Sequence, residues 1–158
     1  MKLNKKTKLV FILIALFLIG LAVPSYSWTR KNVKEIETFY NSKLSPIIMI
    51  PGSSATENRF DGLVRKLNQD RRGTKHSLLK VKVWNNGRIT FEGKIRKNDN
   101  EPIIVIGFEN NKDGYSNIKK QSKMMNQAFE ALQNKYNFNN FKGLAHSNGG
   151  LIYTAFIE

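Results

Sequence analysis

Cysteine is missing altogether from this 158-residue chain. Its absence excludes thiol catalysis, disulfides, cysteine-type zinc sites and lipid attachment at a processed N-terminal cysteine. Acidic residues are missing from the first 27 positions, where four lysines stand: Lys2, Lys5, Lys6 and Lys8. No metal-ligand spacing and no phosphate-binding glycine loop occurs, so neither a metal nor a cofactor is expected. The lysines are scattered and lack the interleaved aromatic residues of a single-strand binder, so nucleic acid is not an expected partner.

What is present suits one modest folded domain. Hydrophobic residues make up 41% and charged residues 24% of the chain, close to the globular average, and the length allows a real core. The formal charge is +14. A chain beginning at Trp28 would keep 22 basic and 12 acidic residues, a charge of +10. Such a surface favours an anionic lipid or an anionic cell-wall polymer as partner.

The first 27 residues read as an export signal. "MKLNKKTK" precedes the apolar "LVFILIALFLIGLAV", residues 9–23, and Pro24 is expected to break the helix before the small residues of "SYS". Fifteen apolar residues fall short of the roughly 20 that span a bilayer comfortably, yet Tyr26 and Trp28 suit a membrane interface. Both a cleaved signal and an uncleaved anchor stay open, so the protein is expected to be exported, and either membrane-anchored or extracellular at the cell surface. Residues 28–44 are polar and read as a stalk or peripheral helix.

Residues 45–158 alternate strands with helices. "SPIIMI" is a continuous apolar run stopped by Pro51-Gly52, the pattern of a strand buried on both faces. Phe60, Leu63, Val64 and Leu67 follow at helical spacing. "SLLKVKVWNNGRITFEGKI" alternates around Asn86-Gly87, a two-residue hairpin signal that puts Leu79, Val81 and Val83 on one face and Lys80 and Lys82 on the other. "PIIVIGF" is a second fully buried strand. Ile118, Met125, Ala128, Phe129, Leu132 and Tyr136 then form the apolar stripe of a long helix, and "NFKGLAH" supplies a last short strand. This order predicts a parallel, three-layer α/β sheet with a β-hairpin insert. In such sheets ligands bind beyond the carboxyl ends of the strands, where Pro51–Ser54, the loop around Asp113 and Ser147 are all expected.

Ala145-His146-Ser147-Asn148-Gly149 fits the small-x-Ser-x-Gly turn that holds a serine nucleophile between a strand and a helix, with alanine in place of the first glycine. Gly149 and Gly150 are expected to allow a tight approach of the following helix. In this architecture the second oxyanion donor comes from the loop after an upstream strand. Ser147 is therefore the expected nucleophile, with the backbone amides of Ser53 and Asn148 as oxyanion donors and Gly52, Ala145 and Gly149 as their supports. His146 adjoins the serine, but side chains flanking such a turn point away from the nucleophile. His76 reads as an exposed loop histidine, and Asp113, although on a loop at the binding edge, reads as turn chemistry in "NNKDGY".

The order of elements looks like the α/β-hydrolase fold. More narrowly, "VKVWNNGRITFEGKIRKNDNEPIIVIGFENNKDGY", a long helix and "FNNFKGLAHSNGG" resemble, over about residues 45–158, the Gram-positive family of cell-surface α/β hydrolases of unknown function. Members carry an N-terminal membrane segment, a His-Gly loop after an apolar strand, a hairpin insert with Asn-Gly at its tip, and a Gly-His-Ser-Met-Gly elbow. Pro51 stands in place of the loop histidine, Ala145 in place of the first elbow glycine and Asn148 in place of methionine. The resemblance implies a triad in the order Ser, then Asp or Glu, then His, yet only eleven residues follow Ser147. The expectation is thus the N-terminal part of an exported serine hydrolase, truncated after the nucleophile elbow and inactive as an isolated chain. It would cleave an ester, thioester or amide of unknown acyl substrate through an acyl-enzyme. The alternative is a non-catalytic basic surface protein that binds anionic wall polymers or lipids.

Overall fold

The computed structural model describes residues 4–40, 43–70, 73 and 75–158; for residues 5, 6 and 32–40 it describes the backbone alone. The chain divides into two units, residues 1–41 and 42–158.

Among the described residues of the first unit, one helix forms, α1 (Lys5–Tyr40). Thr7–Lys31 is long and apolar enough to cross a membrane, the one such helix among the described residues. The break expected at Pro24 does not occur, because Pro24 lies inside α1. Proline removes one intrahelical bond, and the remaining bonds carry the helix past it. Just beyond it, Ser27 Oγ donates to Pro24 O at 2.8 Å and Thr29 Oγ1 to Ser25 O at 2.8 Å, adding two further ties to the turns around the proline. The stalk expected over residues 28–44 continues α1 as far as Tyr40, while residues 41 and 42, like Lys2, lie outside the described residues.

In the second unit, β1 (Ile47–Ile50), α2 (Asp61–Gln69), β2 (Leu78–Val83), β3 (Ile89–Gly93), β4 (Ile103–Phe108), α3 (Tyr115–Tyr136), β5 (Lys142–Ala145) and α4 (Asn148–Ile157) follow in order. The sheet order is β3-β2-β4-β1-β5, with β3 antiparallel to β2 and every other neighbouring pair parallel. The chain thus forms a five-stranded α/β sheet with the hairpin at one edge and β5 at the other.

Two apolar layers flank the sheet, and strand alternation decides which residue joins which. Ile48, Ile50, Leu79, Val81, Val83, Ile104 and Ile106 point to the side of α3 and α4, where Met125, Ala128, Leu132 and Ile152 complete the core. Met49, Ile103 and Val105 point the other way and meet Phe60 and Val64 beside α2. The rings of Phe138, Phe141 and Phe156 lie 5.0 to 5.6 Å from that of Phe129, locking α4 to α3 and the start of β5. Such aromatic pairs contribute about 0.5–1.5 kcal/mol each beyond burial.

Three local expectations change. The hairpin turn is a three-residue loop, with Trp84 N donating to Arg88 O and Gly87 N to Trp84 O, both at 2.9 Å. Gly87 takes a φ of +79°, the left-handed position that closes such loops. Leu63 and Leu67 of α2 are each 41% exposed: Val64 points at the sheet with Phe60 beside it, and these two leucines lie along the outer flank. Finally, a Cβ on Gly150 would meet nothing within 4 Å, so of the two glycines that open α4, Gly149 alone serves close packing.

Candidate active site

Parallel strands bring their carboxyl ends to one edge, and β4, β1 and β5 are adjacent. The segments that follow them, 109–114, 51–54 and 146–148, therefore start side by side. Glycine sets how closely they meet. A Cβ on Gly107 would lie 2.7 Å from Glu57 N, so the segment after β1 settles directly onto β4. A Cβ on Gly149 would lie 2.4 Å from Ile50 O and 2.9 Å from Pro51 O, so the first turn of α4 rests on the end of β1. A Cβ on Gly52 would lie 3.0 Å from Ser147 Cβ. Residue 52 and the serine are thus in contact range across the site.

Ser147 occupies φ 54°, ψ −127°, a conformation that L-residues adopt at a cost of about 1–3 kcal/mol and only where surrounding structure enforces it. The enforcement is visible: His146 N donates to Ile50 O at 3.1 Å, Gly149 N to His146 O at 3.0 Å and Gly150 N to Ser147 O at 2.9 Å. Ser147 is exposed and lines a pocket of about 270 Å³ together with Gly52, Ser53, Ser54, Arg59 and His146. Ala145 is exposed as well, which leaves room for the methyl that replaces the usual glycine hydrogen.

Backbone amides around this pocket divide into used and unused. Ser54 N donates to Asn111 O at 2.8 Å and Ala55 N to Gly52 O at 3.2 Å. Among the described residues, neither Ser53 N nor Asn148 N donates to a backbone carbonyl. Asn148 also opens α4, where helical N–H groups and the helix dipole favour negative charge. Asn148 follows Ser147 directly and Ser53 follows Gly52, which lies against Ser147; amides without a backbone acceptor in such places are of the kind that can stabilise a developing oxyanion.

Side chains hold the three segments together. Asn148 Nδ2 donates to Ser53 Oγ at 2.7 Å and to Asp113 Oδ1 at 2.6 Å, engaging both its hydrogens. Asn111 Nδ2 donates to Ala55 O at 3.2 Å. Buried Gln121 of α3 donates through Nε2 to Asn110 O at 2.5 Å and Lys112 O at 3.1 Å. Asp113 is therefore tied to the site through Asn148, and sequence reasoning missed the Asn148 side chain, Gln121 and Arg59. Gln121 left a trace, since it stands one turn before Met125 in an otherwise apolar stripe; Arg59 left none.

The two histidines are placed differently. His76 is half-buried rather than an exposed loop residue: its Nδ1 lies 2.6 Å from Glu101 O, and Asn68 clamps its backbone from both sides, at 2.7 and 2.9 Å. It precedes β2, so it sits at the amino edge of the parallel strands, opposite Ser147. The His146 ring lies beside Gly52, with Nδ1 3.2 Å from the position of a Cβ there. Among the described residues no histidine or carboxylate is hydrogen-bonded to Ser147 Oγ, and no group of three or more His, Cys, Asp or Glu could hold a metal ion.

This strand-serine-helix arrangement has relatives. A solved structure from Lactobacillus plantarum WCFS1, described as a cell surface hydrolase, is 53% identical with a TM-score of 0.67, covering 73% of this chain and 46% of its own. The structure of the lin2722 gene product of Listeria innocua is 35% identical with a TM-score of 0.64, covering 72% of this chain and 43% of its own. The chain thus spans less than half the length of either relative. No curated protein matches it. A sequence family described as alpha/beta hydrolase of unknown function (DUF915) matches residues 34–158, and the chain belongs to that family.

Proposed function

We propose that the chain is the N-terminal part of an exported, surface-held serine hydrolase with Ser147 as nucleophile. The observation that carries this reading is the backbone of Ser147, held at φ 54°, ψ −127° between β5 and α4 and facing the segment after β1. In the proposed reaction Ser147 Oγ attacks the carbonyl carbon of an ester, thioester or amide, and a base takes its proton. The N–H groups of Ser53 and Asn148 stabilise the oxyanion, the leaving group departs with a proton, and water releases the acyl group. Loss of one such donor lowers turnover by about 10²- to 10³-fold. The base and its orienting carboxylate are assigned to polypeptide outside this chain, in keeping with relatives more than twice as long as the shared span. The chain alone is then expected to turn over no ester. α1 would hold the domain at the membrane.

The test is covalent labelling of the detergent-solubilised chain with a fluorophosphonate, alone and mixed with the remaining half of the Lactobacillus plantarum relative. Label on Ser147 that depends on the added half, and vanishes in Ser147→Ala, is the expected result. Label that persists in the alanine variant, or none in either condition, would remove the assignment. The alternative, a basic surface protein that binds anionic wall polymers or lipids without catalysis, draws on the net charge of +14. It predicts salt-sensitive binding to anionic vesicles that Ser147→Ala leaves unchanged.

A further inference from the structure

A second concavity opens at the other edge of the sheet. About 470 Å³ in volume, it is bounded by α2, the start of β2 and the segment after β3, and its walls carry Arg65, Lys94, Arg96 and His76 over apolar Val64 and Leu78. The volume suits a small organic anion. The helical period puts Asp61, Arg65 and Asn68 on this flank of α2 and Leu63 and Leu67 on the other.

Charge is unbalanced here. Asp61 is the one carboxylate on the wall, and Lys80 Nζ holds it at 2.8 Å. Arg96 is steadied at the rim: its backbone N donates to Ser77 Oγ at 2.9 Å, its guanidinium donates to Lys75 O, and buried Asp99 lies 3.5 Å away. Among the described residues, Arg65 and Lys94 have no acidic partner. His76 is oriented as well. A carbonyl at 2.6 Å accepts only from N–H, so Nδ1 carries the hydrogen and Nε2 is the ring atom left over. Two unpaired cations and a steadied guanidinium thus face one concavity with an apolar floor.

We propose that this pocket binds a phosphate ester, with Arg65 and Lys94 gripping the phosphate, Arg96 beside them, and Val64 and Leu78 under the organic part. Guanidinium groups match tetrahedral oxyanions by paired donation, and lysine adds a mobile point charge. The site lies at the opposite edge of the parallel strands from Ser147 and does not depend on Ser147 being a nucleophile.

The chain contains two histidines, and one lines this pocket, so imidazole NMR resonances provide a local reading. Glycerol 3-phosphate is titrated into the detergent-solubilised full chain at pH 7.5, with sodium chloride matching ionic strength. Saturable shifts of the His76 resonances are expected, with affinity weakened about tenfold or more in Arg65→Ala/Lys94→Ala and unchanged in Lys123→Ala, an exposed lysine of α3. Both pocket residues are exposed, and an unchanged far-ultraviolet spectrum would confirm that the double variant folds. Absence of a His76 shift, or an equal shift in the double variant, would overturn the proposal. Vesicles of phosphatidylglycerol against phosphatidylcholine then separate the sources: a His76 shift with the former alone assigns a lipid headgroup, and no shift with either assigns a soluble ester.

Discussion

At the scale of single residues, the elbow depends on an absent side chain. Ser147 can hold its left-handed backbone because α4 starts against β1, and that contact requires hydrogen at Gly149: a methyl there would lie 2.4 Å from Ile50 O. Gly150, one position on in the same helix, would place a methyl in open space. The two substitutions therefore separate packing from helix propensity. Gly149→Ala is expected to destabilise the fold by about 1–3 kcal/mol through overpacking. Gly150→Ala should instead gain up to about 1 kcal/mol, because alanine gives up less backbone freedom in a helix. Denaturant unfolding in mild detergent reads both, and equal effects would show that the close contact between α4 and β1 is not what holds the turn.

Elements carry the next level of control, and α4 shows how. Its Tyr153 hydroxyl donates to Ile48 O at 2.8 Å, and its ring stacks near that of Phe141, 6.4 Å between centroids. Burial pushes the phenol well above its usual range. The folded state therefore holds this proton more tightly than the unfolded state does. The resulting stabilisation is complete below the unfolded value of about 10 and falls away as pH rises beyond it. Tyr153→Phe should remove that part of the alkaline loss while costing about 1 kcal/mol at pH 7 for the missing hydrogen bond; unfolding at pH 7 and above pH 10 checks both. Elements were also the most legible level in the sequence. The β2 alternation and the α3 stripe could be read directly, because a period of 2 or 3.6 residues records which face is buried. Less legible were Leu63 and Leu67, since periodicity marks a face but not how much of it the sheet is wide enough to cover. Pro24 misled for a different reason: proline removes a single intrahelical bond, and the long helix around it continues through that loss. At the site, the serine turn and the close-packed Gly149 were legible as a motif, whereas Gly150 was not. The Asn148 link between the loops of β1 and β4 was not, because its partners stand 95 and 35 residues away.

For the whole molecule the telling feature is how the two edge strands of the sheet differ. At one edge β3 is paired with β2 and partly buried at Ile89 and Phe91. At the other, all four residues of β5 are exposed and pair only with β1 among the described residues. Lys142, the one charged residue on that strand, is engaged by Glu101. Leu144 stands opposite Met49 and so on the α2 side, 40% exposed. An open strand edge with an apolar side chain invites another strand, and lysine is a usual means of blunting it. The detergent-solubilised chain is therefore expected to self-associate with rising concentration, and Leu144→Lys should weaken that association about tenfold, a change of about 1.4 kcal/mol. Sedimentation equilibrium across a hundredfold range of concentration measures it. If both proteins associate equally, contacts elsewhere, α1 in its micelle foremost, hold the copies together and the β5 edge takes no part. If only the lysine variant stays monomeric, β5, the strand that leads into the Ser147 turn, is also a docking edge, and a strand laid along it would end close to the elbow.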